Sequence, residues 1–413
     1  MNLLETKDFK SISVVYLQFG PECNMQCRHC HQTPEKEISF LAKKPTDEVM
    51  QFLDNYIQFS QGSQFKDKGT DWMPACRVSF WGGEPLLHWN VIKEIVKLFT
   101  EKYDILSTRA FRFAVTTNGL GINEEFVEFV NKYKVIVNFS YDAPYPWAVR
   151  GYVSDRICNF VNKINYARII SSGCSWNCDP LLAHRCLLAK FPNAKQIVRT
   201  EVLRTFPELD KDVDAYDTNK LRNSIRRLFI GAKMNDYFCY RYIKNMFTVK
   251  VFPEKNYFHN TKGLGVCISG RKELTVALDG TVSFCYNSCE ALGNLKEDTL
   301  DTIFQKASKI WHDIYDPQCE DCECRDMCYW GCILLLRDKN KHAFGCDLYR
   351  KPFFKIVKEE MVKLVSPLTE EEKEWYAEQE KIMEQQVQDF LAEGQRYERE
   401  HTRFPKEMDS RKD

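Results

Sequence analysis

The chain has 413 residues, with 58 basic and 58 acidic side chains and a formal net charge of zero. That length predicts about two domains, and the neutral balance supplies no electrostatic reason for nucleic acid or an anionic membrane as a partner. No apolar run approaches the roughly 20 residues of a membrane helix, and the opening "MNLLETKDFKS" lacks a secretory signal layout. The expectation is a cytoplasmic protein that binds neither nucleic acid nor membrane.

The 18 cysteines far exceed ordinary usage. Reducing cytosol disfavours a disulfide framework. Thiolate ligation of metal or iron–sulfur clusters is the better explanation wherever the spacings agree.

In chain order, residues 12–205 repeat one rhythm. The short apolar runs "ISVVYLQF", "CRVSFW", "FRFAVTT", "VIVNFSY", "RIISSG" and "QIVRTEVLR" read as strands. Segments such as "VIKEIVKLFTEKY" and "NEEFVEFVNKY" carry apolar residues at helical spacing between them. The pattern predicts successive βα units, a parallel sheet and a partial (β/α)6 TIM-like barrel.

Residues 206–258 read as a basic helical bridge centred on "NKLRNSIRRLFIGAKM". Residues 259–350 are cysteine-dense, and "ELTVAL" and "TVSFCY" flank Asp279-Gly280, which predicts a hairpin with a tight two-residue turn. Residues 351–413 form a charged helical tail. Thr369 and Glu372 are spaced as a capping box. Trp375, Ile382, Met383, Val387, Phe390 and Leu391 are expected to line one helical face packed on the body.

The chemistry-bearing segments all follow strands. Cys23, Cys27 and Cys30, spaced C-x3-C-x2-C, come after the first; Gly82, Gly83, Glu84 and Pro85 after the second. Asn118 in "TTNG" ends the third, and Ser140 and Asp142 end the fourth. In a parallel barrel such loops gather on one mouth, where sites form. Three thiolates suit three irons of a four-iron cluster and leave the fourth open, as catalysis needs. Zinc is the alternative, with His29 or His31 as a fourth ligand. Glycines at 82 and 83 let backbone approach a ligand. Glu84 and Asp142 can accept from an amine or ribose hydroxyls, and Arg150 can clamp a carboxylate.

C-x3-C-x2-C followed by Gly-Gly-Glu-Pro resembles the radical S-adenosylmethionine (radical SAM) enzyme superfamily over residues 12–205. The resemblance implies that Cys23, Cys27 and Cys30 hold a 4Fe-4S cluster whose fourth iron takes the amino and carboxylate groups of S-adenosyl-L-methionine. One-electron cleavage then yields a 5′-deoxyadenosyl radical that abstracts hydrogen from substrate. It also implies that Glu84 and its glycines face the cofactor amine, that Asn118 lies near the cofactor, and that Ser140, Asp142 and Arg150 surround its ribose and carboxylate. The chain departs from the usual pattern at His29, where relatives often place an aromatic residue against adenine. It departs again at Ala143, where many have glycine.

A second cysteine system spans residues 267–346: Cys267, Cys285, Cys319, Cys322, Cys328, Cys332 and Cys346. Its spacing resembles the SPASM extension of radical SAM enzymes, which implies two auxiliary 4Fe-4S clusters. Cys319, Cys322, Cys328 and Cys346 would close one. Cys267, Cys285 and Cys332 would hold the other, completed by Cys289 or Cys324 or left with an open iron. Cys76, Cys158, Cys174, Cys178, Cys186 and Cys239 are expected in the core, and His88 and His184 are expected to be structural or exposed.

Auxiliary clusters favour net oxidation or bond formation. SPASM relatives act mostly on peptides, so the expectation is a RiPP maturase that cross-links or oxidises a peptide or protein. An electron donor such as flavodoxin or ferredoxin would serve it. The 22 residues before Cys23 are too few for an N-terminal leader-binding domain, so leader recognition falls to a separate protein, the bridge or the C-terminal helix. The alternatives are a small-molecule dehydrogenase and an anaerobic sulfatase maturase. Against the latter, Tyr286 stands where that branch has an aspartate.

Overall fold

The alternation of short apolar runs and amphipathic segments folds into βα units. The computed structural model describes residues 12–27, 30, 43–62, 65, 69–70, 73–144, 150–151, 153–173, 179–201, 218–243, 272–285, 291–313, 321–324, 346–347, 351–364 and 366–401. Six parallel strands form a partial (β/α)6 barrel: β1 (Val14–Gln18), β2 (Cys76–Trp81), β3 (Phe111–Thr117), β4 (Ile136–Ser140), β5 (Ala167–Gly173) and β6 (Gln196–Glu201). Between them run α1 (Asp47–Ser60), α2 (Trp89–Tyr103), α3 (Glu124–Lys132), α4 (Asp155–Val161) and α5 (Pro180–Lys190).

The strands carry two unlike faces. Val15, Leu17, Val78, Phe80, Phe113, Val115, Val137, Phe139 and Ile169 are no more than 2% exposed and join the helix stripes in one core. On α2 that stripe is Ile92, Ile95, Val96 and Phe99, each contributing about 2 kcal/mol on burial. The residues between them, at the alternate positions of each strand, belong to the other face. There the register aligns Gln18, Trp81, Thr116, Asn138, Arg168 and Gln196 in one row across the sheet.

Side-chain caps start the helices after three loops. The Asn123 carboxamide accepts from Phe126 N at 2.9 Å. The Ser154 hydroxyl accepts from Ile157 N at 3.4 Å, and the Asp179 carboxylate accepts from Leu181 N and Leu182 N. Each supplies an acceptor to a donor the helix itself leaves unpaired.

The cysteine-rich region does not stand apart from this sheet. β7 (Glu273–Ala277), β8 (Thr281–Ser283) and β9 (Ala291–Asn294) extend it to nine strands in the order β9-β8-β7-β1-β2-β3-β4-β5-β6. β7 pairs in parallel with β1, so Gln18 lies opposite Ala277. The β7–β8 turn differs from the expected two-residue form. Val282 pairs with Val276, which leaves Leu278, Asp279 and Gly280 in a three-residue loop. Gly280 N donates to Ala277 O at 3.1 Å, and Gly280 sits at φ +88°. A type I turn closed by a left-handed glycine is the usual three-residue solution.

The bridge contains α6 (Thr218–Lys233), and α7 (Leu300–Asp313) follows β9. α8 (Lys351–Leu364) packs on α6, and α9 (Glu370–His401) packs on α5 and α6. The capping box forms as expected: Thr369 N donates to Glu372 Oε2 and Glu372 N to Thr369 Oγ1, each at 3.1 Å. Most of the expected α9 stripe faces the body: Met383 and Phe390 are buried, and Trp375, Val387 and Leu391 are half-buried. Ile382 is 44% exposed, whereas Tyr376, Met383 and Phe390 are buried. Tyr376 lies beside Cys239 and Gly231, seven residues before Met383 on the same helix face, and Ile382 is turned outward. Arg226 lies 4.5 Å above the ring of half-buried Trp375, and Arg185 Nη2 meets Glu380 Oε2 at 2.6 Å. No helix among the described residues is long and apolar enough to cross a membrane.

Candidate active site

The loops that leave β1 and β2 are stitched together by backbone. Phe19 N donates to Trp81 O at 2.7 Å, Gly83 N to Gly20 O at 2.9 Å and Glu84 N to Glu22 O at 2.8 Å. This lacing runs straight into Cys23. It also explains the glycines. A Cβ on Gly83 would stand 2.1 Å from Glu22 O and 2.4 Å from Pro21 O, far inside contact distance. Gly82 lies at φ +150°, and its Cβ would meet Gly20 O at 2.9 Å. The sequence reading had the glycines admit a ligand; in the structure the room a Cβ would take is filled by the cysteine loop itself.

Glu84 is 2% exposed and knots the third strand to the second. Its Oε1 accepts from Leu86 N at 3.0 Å and Thr117 Oγ1 at 2.8 Å, and its Oε2 accepts from Asn118 N at 2.7 Å. Burial raises its pKa, and these donors pull it back. Pro85 opens the short 3-10 turn Pro85–His88 that follows. Asn118 is thereby aimed at the cysteine loop: Nδ2 donates to Asn24 Oδ1 at 2.8 Å and lies 3.7 Å from Cys23 Sγ. Thr117 and Asn24 are the two site residues that sequence reasoning passed over. "TTNG" held the only signal for Thr117, and nothing marked Asn24.

On the far side, Asp142 is 1% exposed and accepts from Arg150 Nε at 3.0 Å. Arg150 Nη1 lies 3.8 Å from Cys27 Sγ, and the Cys27 thiol reaches Arg150 O at 3.6 Å. The expected pair of ligand-facing groups is therefore an ion pair braced against the second cysteine. Ser140 ends β4, half-buried, on the face shared by Asn138. His29 lies outside the described residues.

The donor set fits a cluster. Cys30 N donates to Cys27 O at 3.0 Å, closing a turn between those two thiols. Burial pushes the Cys27 thiol up to about 11, with Arg150 opposing and Cys30, Asp142 and Cys23 adding to the rise. Burial likewise raises Cys23. Three mutually repelling sulfurs favour a cationic group that neutralises them. Among the described residues no trio of His, Cys, Asp or Glu is drawn into single-ion spacing.

In the C-terminal region, Cys285 follows β8 and is 8% exposed. Asp347 raises the Lys351 ammonium, and the thiols of Cys322 and Cys346 add to the rise. Cys324 is 1% exposed; burial raises its thiol and Cys322 adds to the rise. Cys324 thus shares the neighbourhood of the Cys322 set. Cys267, Cys289, Cys319, Cys328 and Cys332 lie outside the described residues, as do Cys174 and Cys178. Cys76, Cys158, Cys186 and Cys239 are at most 2% exposed. His88 stacks on Phe19 at 5.2 Å. His184 stacks on Phe238 at 3.8 Å, and burial lowers its pKa to about 4. Both histidines are structural.

A parallel partial barrel with a thiol triad at its mouth and a cysteine-rich extension defines an iron–sulfur protein. Residues 17–174 match the Radical SAM superfamily, and residues 267–325 match SPASM, an iron-sulfur cluster-binding domain. The chain thus carries a radical SAM domain followed by a SPASM domain, which imply 4Fe-4S clusters and S-adenosyl-L-methionine as cofactors. It is 22% identical over 384 residues to the radical SAM cyclopropyl synthase TigE of Paramaledivibacter caminithermalis, covering 87% of this chain and 76% of that one. Its fold is similar to native anSMEcpe with bound AdoMet and Cp18Cys peptide, at TM-score 0.55 and 16% identity over 85% of this chain and 98% of that one. It is also similar to Streptococcus suis SuiB bound to precursor peptide SuiA, at TM-score 0.53 and 15% identity over 80% and 74%. The chain is a radical SAM/SPASM enzyme resembling peptide-modifying maturases.

Proposed function

We propose that this enzyme matures a ribosomally made peptide, oxidising or cross-linking one of its residues after hydrogen abstraction inside the barrel. One observation carries the proposal. The strand ends that launch the cysteine loop, Gly82–Glu84, Asn118 and Ser140 also bear a polar row, Gln18, Trp81, Thr116 and Asn138, on the face that lies away from the helix-packed core. A polar wall next to the cluster loop suits a substrate rich in amide groups. The likeness to TigE and to the peptide-bound anSMEcpe and SuiB supports the same substrate class.

In this proposal Cys23, Cys27 and Cys30 hold the first cluster, and that cluster with S-adenosyl-L-methionine supplies one-electron, hydrogen-abstracting chemistry. The lacing at Gly82, Gly83 and Glu84 fixes the cysteine loop against β2. Asn118 orients Asn24 and the start of that loop. Arg150, held by Asp142, brings a positive charge beside Cys27 and offers it to an anionic group at the mouth. Ser140 contributes to the wall of that pocket, and His29 stands in the sequence where relatives often place an aromatic residue against adenine. Cys319, Cys322, Cys328 and Cys346 hold one auxiliary cluster, and Cys267, Cys285 and Cys332 with Cys289 hold the other. These take the electron that a substrate radical gives up, and a flavodoxin or ferredoxin supplies the reducing electron.

The test is anaerobic co-expression with short open reading frames flanking the gene, followed by mass spectrometry of each peptide. The expected result is a peptide lighter by two hydrogens, with 5′-deoxyadenosine released in step. Release of 5′-deoxyadenosine with every flanking peptide unchanged, and with a small molecule oxidised instead, overturns the proposal.

A further inference from the structure

Three carboxamides stand in one row of the sheet with their carbonyl oxygens orphaned. Strand pairing runs from Gln18 on β1 through Trp81, Thr116, Asn138 and Arg168 to Gln196 on β6. The residues beside these carboxamides in the chain turn to the helix-packed core: Leu17 and Phe19, Val137 and Phe139, and Ile197. The carboxamides therefore share the opposite face, which a barrel turns toward its axis. Gln18 and Asn138 are only 7% and 8% exposed. Gln18 Oε1, Asn138 Oδ1 and Gln196 Oε1 are all buried without a hydrogen-bond partner. The Asn138 carboxamide is held in that orientation, because its Nδ2 donates to Thr116 Oγ1 at 3.3 Å. Thr116 and Asn138 precede Asn118 and Ser140 by two residues, about 7 Å along a strand, so the row lies one layer below the mouth.

Buried carbonyl oxygens ordinarily find a donor, and leaving one unbonded costs more than a bond made on folding returns. Three such oxygens in one register row amount to an acceptor layer. The geometry points to a substrate subsite within the barrel, at which Gln18, Asn138 and Gln196 accept from N–H groups of the ligand. This rests on the peptide assignment above and narrows it: the enzyme grips main-chain amides of the segment that enters the barrel, one to each carboxamide. Every residue but proline carries that donor. Binding at this layer is therefore indifferent to the side chains of the segment and rejects proline at the bonded positions. The layer is separate from Asn118 and Arg150, which brace the cysteine loop at the rim.

The experiment uses reconstituted holoenzyme loaded with S-adenosyl-L-methionine and measures binding by calorimetry. The probes are Ac-Ala-Ala-Ala-NHMe, the depsipeptide in which L-lactate replaces its three alanines, and myo-inositol, a hydroxyl donor that is not a peptide. The depsipeptide puts ester oxygens where three N–H groups stood. Variants are Gln18→Met, Asn138→Leu and Gln196→Met, each close in size to the residue replaced and without its acceptor. Melting temperature and S-adenosyl-L-methionine binding are measured on each. The subsite predicts that the peptide binds at least about tenfold tighter than the depsipeptide. Gln18→Met and Asn138→Leu each weaken peptide binding about tenfold and narrow that gap, with S-adenosyl-L-methionine binding retained. The melting temperature of Gln18→Met is unchanged or higher, because the variant removes a buried acceptor that has no partner. Equal binding of peptide and depsipeptide, or a gap unchanged in all three variants, overturns the subsite and leaves the peptide assignment, which mass spectrometry reads, standing. Loss of S-adenosyl-L-methionine binding in step with peptide binding assigns the row to the cofactor, and a lowered melting temperature in all three variants assigns it to the fold; either overturns the subsite. Tighter binding of myo-inositol than of the peptide, with the same dependence on the carboxamides, keeps the acceptor layer and overturns the peptide assignment.

Discussion

The two cysteine systems are anchored in different ways. The first triad leaves β1 on a loop whose backbone is bonded to the loop of the neighbouring strand, and its side chains are braced by Asn118 and Arg150. The second is tied to the body through a hairpin added to the outer edge of β1 and through Cys324, whose thiol contacts Lys351 O on α8 at 3.9 Å. One site is thus a product of local strand order. The other exists only because residues about 260 positions downstream return to the same strand. The lesson is that the mouth of a parallel sheet delivers one ligand set by repetition, whereas the second depends on a single long-range pairing.

The comparison breaks most sharply at Gly83. Gly83→Ala forces a Cβ into two backbone carbonyls, so the lacing opens at a cost of about 3 kcal/mol. The expected outcome is loss of the first cluster, about four irons per chain, with auxiliary iron retained. Iron assay and visible absorption read both. In the second region Cys289→Ser removes one auxiliary cluster and spares the first, while Cys324→Ser leaves iron content unchanged, because Cys324 sits with the Cys322 set. Iron quantitation separates the two variants, and equal losses would merge them.

Glu84→Ala sharpens the account of the rim. It strands the buried Leu86 and Asn118 N–H donors and loosens Asn118, at about 3 kcal/mol. Urea unfolding measures the loss; a change below experimental error would show that the Glu84 knot contributes nothing. The smallest effect lies farthest from either cluster. Thr369→Ala removes half of the α9 capping box and costs about 1 kcal/mol, read as a lowered melting temperature with iron content intact.

Much of this was legible in the residues. The six strand runs and the Thr369–Glu372 box are written over a few neighbouring positions, so local chemistry determines them. Every candidate residue of the first site follows a strand, and strand order alone brings them to one rim. Three features escaped for one reason. The partner of Asp142 is Arg150, the space beside Gly83 belongs to Glu22, and the buried face of α9 runs through Tyr376 rather than Ile382. Each depends on what stands across a gap that spacing does not measure.

By itself, the sequence determined the parallel βα architecture and the thiol triad, because period and spacing are properties of the chain. Only the tertiary structure decided that the hairpin joins β1 and that Glu84 is a knot. Those outcomes are set by register between strands distant in the chain, where one residue of slip exchanges the polar face for the core.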